Sequence, residues 1–181
     1  MIVGTTSQSA ITRVLCRKAR ALALIAVGSV VMACSLESTL DSLANQFPRH
    51  KSELSRLVSV WQTLHSEVSL NGYMNGYTRY CESPPCVRIG NGEEQISIKV
   101  AQQRFPKSSD QLTQLAKLAE SLKLDYVSLE FDEYFVITMK GGGALGGDSG
   151  YLFAPNGSSP HRAVKHFKPI PNESYWYAFV G

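Results

Sequence analysis

Tyr126–Lys140 reads YVSLEFDEYFVITMK, and its period decides the fold. Val127, Leu129 and Phe131 alternate with polar or amphipathic neighbours, and Phe135, Ile137 and Met139 do so again. Period two in β-branched and aromatic residues predicts strands over Tyr126–Phe131 and Tyr134–Lys140. Asp132-Glu133 between them predicts a tight turn, hence an antiparallel pair.

Just upstream the period changes. Leu112, Leu115, Leu118, Ala119 and Leu122 form one stripe, which predicts a helix over about 109–123. Ser108 and Gln111 have capping-box spacing, and Lys117 and Lys123 fall toward the end that the helix dipole favours. Farther upstream, Leu54, Leu57, Val58, Trp61, Leu64 and Val68 predict a helix over about 51–69, preceded by Pro48 and capped by Ser52. Asn71-Gly72 and Asn75-Gly76 each read as turns. Thr78–Cys81, Cys86–Ile89 and Gln95–Ala101 read as strands, with a turn at Asn91-Gly92. Downstream, a glycine-rich loop over 141–150 leads to a strand at Tyr151–Ala154, and Tyr175–Val180 closes the chain as another. The expected class is α+β, two amphipathic helices packed on one face of a mainly antiparallel sheet.

The N-terminus has a different logic. Arg13, Arg17, Lys18 and Arg20 precede an apolar run, Ala21–Ala33 (ALALIAVGSVVMA), and Cys34 follows. A basic segment, a short apolar core and small residues before a cleavage point describe a secretory signal peptide. Thirteen residues fall short of the roughly 20 that cross a bilayer. Val31-Met32-Ala33-Cys34 resembles the lipobox of bacterial lipoproteins. That resemblance implies cleavage before Cys34 and acylation of its thiol and new amino group. Ser35, in place of an aspartate, implies the outer membrane, with the protein facing the periplasm. The expected organisation is a removed leader over 1–33, a lipidated cysteine and tether over 34–49, and a single globular domain over 50–181. A short helix on Leu36, Leu40 and Leu43 is compatible with the tether.

Cleavage also resets the charge. The chain carries 18 basic and 15 acidic residues, net +3. Four of the basic residues leave with the leader and no acidic residue does, so the remainder is net −1. Nothing strongly basic is left to suggest nucleic acid. Cys16 leaves too, and acylation would occupy Cys34. Cys81 and Cys86 remain as an even pair in an oxidising compartment, which favours a structural disulfide over a redox pair.

Motifs that could carry chemistry are few. Gly147-Asp148-Ser149-Gly150 resembles the tetrapeptide around the nucleophile of trypsin-like serine proteases. That resemblance implies a histidine base and an aspartate upstream in two β-barrels. Here His50 and His65 lie in or beside a helix, while His161 and His166 lie downstream. The same glycines lack the Gly-Lys-Ser/Thr of a phosphate loop. Glu130, Asp132 and Glu133 lack the regular oxygen ligands of a calcium loop and read as a solvated turn. His161 and His166 have no nearby cysteine or carboxylate to complete a zinc site. No catalytic residue, cofactor or metal is therefore expected.

Tyr73, Tyr77, Tyr175, Trp176 and Tyr177 are candidates for partner binding, because Tyr and Trp are favoured at interfaces. Residues 50–181 resemble, in their order of helix, strands and glycines, small periplasmic lipoproteins of bacteria. Some of those neutralise toxins or lytic enzymes. The expected function is a membrane-anchored, non-catalytic module that binds a protein, of immunity or inhibitor type. An envelope structural or assembly lipoprotein, and a small serine hydrolase using Ser149, are the alternatives.

Overall fold

The computed structural model describes residues 8–76, 81, 83–90, 94–130, 134–140, 148–157, 160 and 164–181, with backbone alone for 8–34 and 130. Tyr77, the strand expected at 78–80, the turns at 91–92 and 132–133, most of the glycine-rich loop, His161 and the Cys34 side chain lie outside that description. The chain divides into two units, Met1–Ser38 and Thr39–Gly181.

The fold is α+β, with three helices packed against an eight-stranded antiparallel sheet. The order is α1 (Gln8–Val68), β1 (Leu70–Met74), β2 (Cys86–Ile89), β3 (Glu94–Ser97), α2 (Ile98–Arg104), α3 (Ser109–Ser121), β4 (Leu124–Glu130), β5 (Tyr134–Met139), β6 (Ser149–Phe153), β7 (His166–Pro169) and β8 (Trp176–Val180). Across the sheet the strands run β3-β2-β1-β4-β5-β6-β8-β7.

The register sorts the two faces. One row runs Ile96, Val87, Tyr73, Val127, Ile137, Tyr151, Ala178 and Lys168. This row faces the helices: the Tyr151 ring meets Phe47 of α1, and Lys168 pairs with Asp41 of α1. The next row along runs Gln95, Arg88, Gly72, Ser128, Val136, Leu152, Tyr177 and Pro169, and alternation turns it to the opposite face. That face carries a second apolar cluster of Tyr134, Val136, Leu152, Ala154 and Phe179, joined by Val164, Phe167 and Tyr177.

Several features differ from expectation. Residues 39–49, expected as part of a tether, are helical and packed: Leu40, Leu43 and Phe47 are buried, and Pro48 lies inside α1. They extend the stripe of Leu54, Leu57, Trp61 and Leu64 along one helix face. Burying three large apolar side chains at roughly 1.5–3 kcal/mol each outweighs the ~3 kcal/mol cost of an interior proline. Residues 70–74, expected as turns, form β1 inside the sheet. The strand expected over Gln95–Ala101 ends at Ser97, whose hydroxyl accepts from the Val100 amide at 3.3 Å and starts α2. Ser108 stands at the N-cap of α3 but its hydroxyl makes no capping bond; it donates instead to Glu67 of α1 at 2.7 Å.

Candidate functional site

The described residues among those singled out in sequence do not form one site. Tyr73 sits in β1 and is 1 % exposed, so its ring belongs to the core. Trp176 is buried against Phe47 and Phe153, Tyr177 is half-buried on the opposite face, and Tyr175 is 45 % exposed. Three strands, β4, β5 and β6, separate Tyr73 from this C-terminal group. Cys81 and Cys86 are joined as a disulfide, with Cα atoms 6.0 Å apart.

Ser149 opens β6 on the helix-facing side. Its Oγ is buried and has no hydrogen-bond partner. His166 shares its row, but Val180 stands between them, two strand spacings or about 10 Å in all. No described side chain therefore takes the Ser149 proton. Gly150 has a steric role instead: a Cβ there would sit 2.0 Å from the Ile137 carbonyl oxygen. His65, at the end of α1, bonds through Nδ1 to the Leu70 carbonyl at 2.8 Å, which fixes that nitrogen as the protonated one. Among the described residues, no group of three or more His, Cys, Asp or Glu is placed to hold a metal ion, and no helix is long and apolar enough to cross a membrane.

Two buried phenols show how dry the helix-facing side is. Burial pushes Tyr151 up to about 12, and burial, then the charge of Glu120, pushes Tyr73 up to about 12. The Tyr151 hydroxyl donates to the Leu43 carbonyl at 3.0 Å. Both groups hold their protons in the folded state at a pH where the unfolded chain releases them. Their contribution to stability is thus complete below pH 10 and lost as pH rises toward 12. Each is expected to lower stability by about 1.4 kcal/mol per pH unit across that window. Denaturant titrations at pH 8, 10 and 11 would read this slope, and Tyr151→Phe is expected to halve it.

The polar constellation that sequence inspection missed lies on the other face. Arg88, in β2, extends across Gly72 of β1 to Tyr126 of β4, where Nη2 donates to the phenol oxygen at 2.5 Å. Its guanidinium carbon lies 5.9 Å from the Tyr126 ring centre. A Cβ at Gly72 would sit 2.8 Å from Arg88 Nε, so the glycine is the bed on which the side chain lies. Arg88 Nε is buried without a partner, and so is Oε1 of Gln95, the residue directly opposite on β3. The described ion pairs are Lys51–Glu173, Arg104–Glu94 and Lys168–Asp41, so no carboxylate among the described residues faces Arg88. A half-buried guanidinium held flat by sheet and phenol is a preformed receiver for an anion. The one sequence signal for it was an arginine in the CVRI strand; Gly72, read as part of a turn, gave none.

No protein-family model matches the chain, no curated protein matches it in sequence, and no solved structure matches it in fold.

Proposed function

We propose that this chain is a bacterial envelope lipoprotein, acylated at Cys34, whose folded unit binds a protein partner without catalysis, in the manner of an immunity or inhibitor protein. The observation that carries the reading is the apolar run Ala21–Ala33 ending in Val-Met-Ala-Cys. A protein delivered by such a leader is held at a membrane by its lipid and acts where the leader delivers it. The outer membrane, facing the periplasm, is the proposed location. Support for binding comes from the polar face around Arg88, where arginine, tyrosine and methionine lie together as they do in interface cores.

Cys34→Ala is expected to abolish incorporation of labelled fatty acid and to release the protein from washed membranes. Labelling that persists in the variant would sink the anchor. A stoichiometric complex with a purified secreted toxin or lytic enzyme would support the binding reading. Recovery of envelope assembly components alone would favour a structural role instead.

A further inference from the structure

We infer that the helix-free face of the sheet around Arg88 is a docking point for an acidic side chain of a protein partner, with Arg88 as the residue that receives the carboxylate. This deepens the proposed binding function and rests on it.

The chemistry follows from what is paired and what is not. A guanidinium offers five N–H groups in a rigid plane. Tyr126 takes one of them, from Nη2. Nε has no partner, and no carboxylate among the described residues neutralises the charge. In each described ion pair at least one partner is about half exposed, so water already screens it. Arg88 is the better-organised cation. Its stem is confined by Gly72, its end by the Tyr126 hydroxyl, and its neighbours Gln95, Ser97, Met74 and Tyr126 are themselves half-buried. An arginine fixed before binding loses less side-chain freedom when a ligand arrives.

One cation suits a monoanion. A phosphate dianion calls for a second positive group, and among the described residues the rows at and beside Arg88 on this face supply none, holding instead Gln95, Ser97, Met74, Tyr126 and Ser128. The unpaired acceptor at Gln95 Oε1 points the same way. An acidic residue within a peptide brings both a carboxylate for the guanidinium and a backbone N–H for a neighbouring amide oxygen. Inorganic phosphate and free acetate bring no such peptide donor. The geometry thus fits a Glu or Asp presented by another protein, with Met74 and Tyr126 giving the apolar rim.

The test uses the full chain carrying Cys34→Ala, in non-ionic detergent, with glutamate blocked at both ends as acetyl and N-methylamide for the probe. The Arg88 Nε–H signal is followed by NMR during titration, with sodium chloride at matched ionic strength as reference. Blocked glutamate is expected to shift that signal saturably while chloride does not. Arg88→Gln, which removes the Nε–H and is therefore followed through the backbone amide signals of Gly72 and Tyr126, is expected to weaken binding tenfold or more, and Tyr126→Phe severalfold, with melting temperature monitored so that misfolding is recognised. Equal shifts with chloride, no saturation, or binding unchanged in Arg88→Gln would overturn the site. Saturation by inorganic phosphate but not by blocked glutamate would overturn the protein partner. Because the chain tested cannot be acylated, failure of the anchor leaves this result untouched. Failure here leaves open a binding module that uses another face.

Discussion

Phe47→Ala is expected to lower the unfolding free energy by about 3–5 kcal/mol, the range for truncating a buried phenylalanine. Phe47 is 1 % exposed, and its ring centre lies 5.4 Å from Tyr151 and 5.2 Å from Trp176. Truncation removes the apolar burial and both ring contacts, and leaves a cavity between α1 and β6–β8. For a chain of this size the melting temperature should fall by about 10 °C. Gln46→Ala is the control: that side chain is exposed and bonds only to Ser42, so it should move the midpoint by less than about 0.5 kcal/mol. If residues 39–49 were a tether, Phe47→Ala would be as silent as Gln46→Ala. Urea denaturation followed by circular dichroism separates the two outcomes.

Gly150→Ala is expected to be as damaging for a different reason. The new Cβ would lie 2.0 Å from a backbone oxygen, and a carbonyl held in the β5–β6 ladder has no rotamer by which to escape. The strands must part where Thr138 and Gly150 face each other. Overpacking of this kind costs about 3 kcal/mol or more when backbone has to move. Gly157→Ala provides the contrast. Gly157 has φ +66 and nothing within 4 Å of a Cβ, so only the left-handed backbone resists, at about 1–2 kcal/mol. Differential melting of the two variants reads the gap, and equal losses would rule out the close approach as the cause.

What could be read from sequence was the local period. The alternation of β4 and β5, the stripe of α3 and the second half of α1 all announced themselves, because each depends on neighbours within a few residues. What could not be read depends on partners far away. Gly72 looks like a turn until Arg88 is known to lie across it, and Gly150 looks like part of a nucleophile motif until Ile137 is beside it. Leu40, Leu43 and Phe47 look like a tether because Pro48 suggests a boundary, and only the rings of Tyr151 and Trp176 show what they are for. The pairing of Cys81 with Cys86 follows from cysteine arithmetic and is present in the structure. The polar face had no such arithmetic. Arg88, Gly72 and Tyr126 meet only when β2, β1 and β4 take their register, and register is a tertiary property.

The cap at Ser97 has a consequence for behaviour at high concentration. An open sheet ends in two strands with unpaired backbone groups, which invite a neighbouring molecule to add a strand. Here both outer strands are four residues long. At one border the Ser97 hydroxyl turns the chain into α2 as soon as the strand has paired, and at the other Pro169 removes a donor after Lys168 has placed a charge. The serine that begins a helix therefore also cuts short a template for aggregation.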